Sequence, residues 1–288
     1  MSQQTLKQKT SAAGIGLHSG VRVHATLHPA LAGYGIRFRR SDIESDNTIT
    51  LGEAHVCHTT LCTGIEQDAV RVRTVEHLLA ALSGLGIDNI LIEIDAEELP
   101  ILDGSSAPWV HLILEAGIVE QPIPRMALRL KKEHKVVHGQ GWLHAKPEES
   151  FFRSARIDFD HPSIEKTPLV ASTDGSKEDF INRIGRARTF GFLHQVEDMH
   201  ARGLAQGGSL GNAMVLDQHH LINHDGMRMP DEFAQHKLLD MMGDLMILGR
   251  PLLARIDAYR PGHAVQAAFT KSLMDNPDLT EAIELQEP

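Results

Sequence analysis

An α+β fold arranged as two domains is what this sequence predicts, and three observations carry that expectation. The chain is 288 residues long, against a usual domain of roughly 150 residues. Apolar segments of strand periodicity alternate with helical ones in each half, so sheets with packed helices are expected in both. Between the halves, EQPIPR at positions 120–125 carries two prolines, which favour an extended linker over a continuing helix. The expected domains are 1–123 and 124–288.

In the first half, Val21 to His28 and Gly35 to Arg39 alternate as strands, with antiparallel pairing between them the simplest arrangement. Thr74 to Gly84 (TVEHLLAALSG) reads as a helix of about three turns: Thr74 serves as N-cap, strong helix formers follow, and a glycine terminates it. Asp88-Asn89 then leads into ILIEI, a buried strand, and the chain turns at Asp103-Gly104 before a second helix. The second half repeats this order. Strands run from Met126 to Phe159, helical segments to Arg202, then come a glycine-rich turn, the strand AMVLD, a long helix, the strand LLARIDAY and a last helix from Gly262. HLLAALSGLGIDNILIEI and HKLLDMMGDLMILGRPLLARI share a helix-then-strand layout, which hints at a duplicated fold.

Composition narrows the function. Hydrophobic residues make 42% and charged residues 23%, as in ordinary folded globular chains. The 28 Lys and Arg against 38 Asp and Glu leave a net charge of −10, which opposes binding to a polyanion such as nucleic acid. No run approaches the roughly 18 apolar residues of a transmembrane segment, and MSQQTLKQKT has no signal-peptide core; a cytoplasmic protein is expected. Two cysteines, Cys57 and Cys62, are too few for a four-cysteine zinc site or a disulfide framework, and read as reduced structural thiols. The 18 histidines are the anomaly, because imidazole is the commonest metal ligand and titrates near neutrality.

The helix predicted over Pro230 to Gly249 (PDEFAQHKLLDMMGDLMILG) concentrates the chemistry. Proline and acidic residues mark its start and glycine its end. Its Phe, Leu, Met and Ile content predicts burial, yet His236, Asp240 and Asp244 recur one turn apart on a single stripe. Buried carboxylates require a cation or strong donors, since an unpaired one costs several kcal/mol. A divalent metal meets that need, and imidazole with carboxylate suits zinc; an ordinary His–Asp pair on a helix surface is the plainer reading.

Glu76 and His77 lie about 100° apart around the first helix, so both can face a cleft without both ligating one ion. Alone they read more plainly as an exposed polar pair. Taken with His236 and Asp240, His77 supplies a third ligand and leaves a fourth position open to water, as catalytic zinc sites do. His263, in RPGHAVQAAF, opens the last helix, where it can reach Asp244. Such a contact orients the ring and raises its pKa, whereas a histidine left in a turn at a helix N-terminus has its charge disfavoured by the dipole; the sequence leaves both open. Thr189 and Phe190 in ARTFGF suit either a substrate pocket or the core. GLAQGGSLGNA at 203–213 lacks the spacing of a phosphate-binding loop, which argues against a nucleotide hydrolase, and neither G-x-S-x-G nor H-E-x-x-H occurs.

GIGLHSG, TLCT, TVEHLLAALSGLGIDN, LPILDGSSAPW, IDFDHP, RARTFGF, GLAQGGS, DEFAQHKLLDMMGD and the closing Tyr259 to His263, in this order over almost the whole chain, resemble the UDP-3-O-acyl-N-acetylglucosamine deacetylase family, zinc amidases of lipid A biosynthesis. The resemblance implies two similar domains whose helices are sandwiched between two sheets, with the active site at the domain interface. It implies one Zn2+ per chain held by His77, His236 and Asp240, with Glu76 as general base toward the attacking water. Thr189 is implied to stabilise the oxyanion, Lys237 to assist there or bind substrate, and His263, oriented by Asp244, to act as acid or as a stabilising cation. Phe159 and Phe190 are implied as contacts for the nucleotide sugar, and Phe192, Leu193, Val196, Met199 and Leu204 as an apolar passage for the acyl chain. Two positions depart from the family pattern: Gly211 stands where relatives often carry an acidic residue, and Gly141 where a basic one is common.

Two other function classes fit the same residues. A metal-free lyase or dehydratase would use Glu76 and His77 directly as base and acid. A non-catalytic nucleotide-sugar-binding protein would use the buried polar stripe only to fix its fold.

Overall fold

The computed structural model describes residues 1–44 and 48–286. Two five-stranded mixed sheets dominate it. The first runs, in spatial order, Thr10–Ile15, Arg22–Pro29, Ile90–Ile94, Ile36–Arg40 and Ile49–Thr50; the second runs His134–His138, Gly141–Lys146, Arg255–Tyr259, Arg153–Arg156 and Val170–Thr173. Each central strand pairs antiparallel on one side and parallel on the other, in the same sequence of pairings. The expected duplication is thus present as identical topology, although few residues are shared.

Seven helices accompany the sheets among the described residues: α1 (Glu76–Leu85), α2 (Ala107–Ala116), α3 (Pro162–Glu165), α4 (Lys177–Asn182), α5 (Val196–Ala201), α6 (Glu232–Leu245) and α7 (His263–Asp275). The α+β class follows directly. In each half a helix precedes the central strand and another follows it: α1 and α2 around Ile90–Ile94, α6 and α7 around Arg255–Tyr259. The central strand of the first sheet is its most apolar, with Ile90, Ile92 and Ile94 fully buried, and Ile256 in the other central strand is fully buried too. One buried apolar cluster runs through both halves, and α1 packs on α6. Gly243 permits that approach, because a Cβ there would overlap the Glu76 carbonyl.

Several local expectations are corrected. Arg22–Pro29 and Ile36–Arg40 do not pair with each other; Ile90–Ile94 inserts between them, the more apolar strand taking the doubly covered centre. Thr74 does not cap α1. It sits at φ 56°, and its hydroxyl donates to Glu98 Oε1 at 2.9 Å, while Val75 holds the N-cap position without a side-chain bond. Gly84 does not end α1 either; Gly86 does, at φ 77°, and Gly84 instead makes room for the Phe180 ring. The 120–125 segment is extended as expected, but Ile118–Pro124 is a strand pairing with Ser2–Leu6. The register slips between Ser2 and Gln3, beside Pro122, which has no N–H to offer. The long helix stops at Leu245, with a 3-10 turn over Met246–Leu248 before Gly249. A last strand, Thr280–Glu284, pairs with Met126–Leu130 and was not foreseen. Among the described residues no helix is long and apolar enough to cross a membrane.

Candidate metal centre and its cavity

The first turn of α1 and the middle of α6 meet at a cavity of about 590 Å3, lined by residues of both halves. Glu76 and His77 follow the left-handed turn at Thr74, so α1 begins with them already facing inward; both are buried. At the start of α6, the fully buried Glu232 accepts from Arg188 Nε at 2.8 Å and from the backbone N–H of Arg188 at 3.1 Å. That pair fixes α6 against the 187–189 segment. The Ala187 carbonyl there accepts a hydrogen bond from His236 Nδ1 at 3.1 Å.

This bond decides the tautomer. With the proton on Nδ1, the lone pair of His236 sits on Nε2, 3.4 Å from Asp240 Oδ1. His77 Nε2 lies 3.7 Å from the same oxygen, beyond hydrogen-bond distance. Asp240 Oδ1 and His77 Nδ1 are both buried without a hydrogen-bond partner. Burial depresses the imidazole pKa to about 4 for His77 and about 3 for His236, so both are neutral near pH 7. Burial opposes the charge of Asp240, but His236, Lys237, His263 and His77 hold its carboxyl well below the usual carboxylate range. Two neutral imidazoles and an anionic carboxylate oxygen therefore converge, with the His236 lone pair turned toward Asp240. Ligand atoms of His77, His236 and Asp240 all lie within 4.8 Å of one another. Tetrahedral donors at ~2.1 Å from a zinc ion stand ~3.4 Å apart, so the set fits such an ion.

Around this triad sit four further ionisable groups. Lys237 Nζ reaches Asp240 Oδ2 at 2.6 Å and lies over the Phe190 ring. Burial pushes the Glu76 carboxyl up to about 8, with His263 pulling against it; its Oε2 accepts from the Thr63 N–H at 3.1 Å. His263 Nδ1 lies 2.9 Å from Asp244 Oδ2, and its Nε2 lies 4.0 Å from both Glu76 and Asp240. Burial works against the imidazolium, yet Asp244, Asp240 and Glu76 together outweigh it and raise His263 to about 9. Of the two readings left open for His263, the Asp244 contact is the one found. Leu61, Thr74 and Arg260, three non-glycine residues at positive φ, also line the cavity, which concentrates backbone strain there.

A family profile described as LpxC: UDP-3-O-acyl N-acetylglycosamine deacetylase matches residues 3–275. The chain belongs to the LpxC family. Proteins named UDP-3-O-acyl-N-acetylglucosamine deacetylase resemble it along their length. That of Saccharophagus degradans is 45% identical over 287 residues, covering 100% of this chain and 95% of the relative. Those of Histophilus somni and Chromobacterium violaceum are 42% and 41% identical, covering 100% and 99% of this chain and 94% of each relative.

Within the LpxC-family cavity the structure also brings together Thr189, Phe159 and Phe190, with the two rings edge to face at 5.4 Å. It does not bring Phe192, Leu193, Val196, Met199 or Leu204 into the cavity wall. Phe192 packs on Phe159, Leu193 is exposed, Val196 and Met199 are half-buried on α5, and Leu204 is buried. Sequence reasoning missed Thr63, whose hydroxyl lies 3.0 Å from His263 Nδ1, although TLCT contains it. It also missed Asp158 and Arg260 on the cavity wall. At Gly141 a Cβ would stand 2.5 Å from the Arg260 carbonyl oxygen, so no side chain fits there. Arg260 itself brings a guanidinium to the same wall, its Nε donating to the Asp158 carbonyl at 3.1 Å. Nothing in the structure gives a role to Gly211, on an exposed turn.

Proposed function

We propose that this chain removes the 2-acetamido acetyl group of UDP-3-O-acyl-N-acetylglucosamine by zinc-dependent hydrolysis, yielding acetate and UDP-3-O-acyl-glucosamine for lipid A biosynthesis in the cytoplasm. The observation that carries the reading is the convergence of two imidazole nitrogens on an unpartnered, buried Asp240 oxygen, contributed by opposite halves of the chain. Full-length relatives named for this deacetylation support the substrate. The reading takes 1–123 and 124–288 as domains that each supply part of the site.

His77, His236 and Asp240 would hold the zinc, which when bound supplies Lewis acidity that acidifies water and polarises an amide carbonyl. Glu76, beside them, takes the proton of the attacking water as general base. As the amide carbon becomes tetrahedral, the Thr189 hydroxyl donates to the developing oxyanion, and Lys237 adds positive charge on the same wall. His263, held by Asp244 through Nδ1, gives its Nε2 proton to the departing sugar nitrogen as the C–N bond breaks. The proton taken by Glu76 then returns the imidazole to its cationic form. Phe159 and Phe190 line the nucleotide-sugar part, and Arg260 offers charge to the diphosphate.

Elemental analysis of the purified chain, paired with an acetate-release assay on the UDP-sugar, tests this reading. One zinc per chain and loss of acetate release on chelation are expected. Undiminished amidase activity after verified metal removal overturns it, as does the absence of stoichiometric metal.

A further inference from the structure

A second hollow of about 340 Å3 lies at the opposite, C-terminal end of α1, where residues from the two halves meet. Three cationic side chains line it, Arg125, Arg153 and Lys177, and no acidic one does, in a chain whose net charge is −10. Arg125 has its counter-charge, since its Nε lies 2.9 Å from Asp88 Oδ1. Arg153 has none among the described residues. It is only 6% exposed, and its guanidinium donates to backbone carbonyls alone, those of Phe152, Leu252 and Ala254. Carbonyl dipoles offset a buried cation only in part, and an uncompensated buried charge costs several kcal/mol. Burial alone lowers the guanidinium to about 9, with no carboxylate to hold it up. Lys177 stands exposed beside it.

Gln4, Ser83 and Ser176 add uncharged polar groups to the wall, and one side of it is apolar. Met242 and Met246, from the end of α6 and the turn after it, face the hollow with Leu85 and Phe151. Methionine walls adapt to hydrocarbon of variable shape, and the volume falls within the range of small-molecule sites. We propose that this hollow binds a compact organic anion, an oxyanion head on a short hydrocarbon stem, with the head toward Arg153 and Lys177 and the stem along Met242 and Met246. Such a ligand supplies the counter-charge that the fold leaves out. It touches α1 and α6, the two helices that carry Glu76, His77, His236 and Asp240, from the side away from the metal centre. The proposal does not depend on the deacetylase reading.

Titration calorimetry on the full-length chain tests it, with octyl phosphate and octanoate as probes and octanol and inorganic phosphate as controls. Both amphipathic anions are expected to saturate one site, and each control to bind at least about tenfold more weakly. Comparing the two probes decides between a phosphate and a carboxylate head. Lys177→Glu, a change at an exposed position, is expected to weaken binding by about tenfold or more while acetate release is unchanged. Arg153→Met is expected to abolish binding if circular dichroism shows it folded; if it does not fold, Lys177→Glu and the wild-type titration decide. No saturable binding, or an affinity that Lys177→Glu leaves unaltered, overturns the proposal.

Discussion

Glu76 and Glu98 are both buried carboxylates on the N-terminal half, yet their surroundings give them opposite properties. Glu76 is left with a single backbone donor among its hydrogen bonds, and burial raises its pKa. In the proposed reaction Glu76 is the base, and Glu76→Ala is expected to lower acetate release roughly 10²–10⁴-fold while elemental analysis still finds one zinc. Loss of the metal with the activity would instead make Glu76 a ligand. Glu98 also meets a burial penalty, but the N–H groups of His18 and Ser19 and the Thr74 hydroxyl all donate to it, and its pKa falls below the ordinary value. A depressed folded-state pKa contributes stability that is present above the unfolded value and disappears as pH drops through the folded one. Glu98→Gln should therefore destabilise the protein at pH 7 by roughly 1.5–3 kcal/mol, with the gap to wild type closing in strong acid; urea titrations at the two pH values measure it. Cys62, fully buried, has its thiol pushed up to about 12 by burial. Alkylation by iodoacetamide near pH 8 should spare it in the native protein and reach it after unfolding, as a reduced structural thiol requires. The sequence shows these residues but not their fates, because donors such as the His18 N–H arrive from distant segments.

At the scale of elements, the helix stripe His236–Asp240–Asp244 was legible because one turn of helix fixes side-chain direction without help from the rest of the chain. Its surroundings were not. Gly243 reads in sequence as a poor helix former, and only the packing shows that its missing side chain admits the Glu76 carbonyl. Gly243→Ala must push α1 from α6, and is expected to cost roughly 1–3 kcal/mol and to weaken zinc binding; thermal melts and a competitive chelator titration measure the two effects. A variant with unchanged zinc affinity would show that the centre tolerates helix displacement. The same contrast explains Thr74. Its type and position suit an N-cap, but the buried Glu98 competes for its hydroxyl and wins, since a charged acceptor makes the stronger bond.

For the whole molecule, the proposed ion, shared by His77 in one half and His236 and Asp240 in the other, would tie α1 to α6 by coordination as well as packing. Removing zinc should lower the melting temperature, and restoring it should raise stability by about 4 kcal/mol once free zinc reaches a thousandfold its dissociation constant. Calorimetry of the apo and zinc-loaded chains measures the difference; identical melts would show that no ion bridges the halves. The sequence by itself determined the main helices α1, α2, α6 and α7, the extended 120–125 segment and the side chains able to do chemistry, because periodicity, turn residues and acid–base character act over a few neighbours. It did not give the strands Val170–Thr173 and Phe190–Phe192, in a stretch read as helical, or Thr280–Glu284. Tertiary structure alone decided that Ile90–Ile94 separates two strands expected to pair, that both halves share one strand order, and that two imidazoles face one carboxylate oxygen. Those outcomes rest on contacts between segments far apart in the chain, where competing burial of whole strands and helices selects the arrangement and no local pattern records the winner.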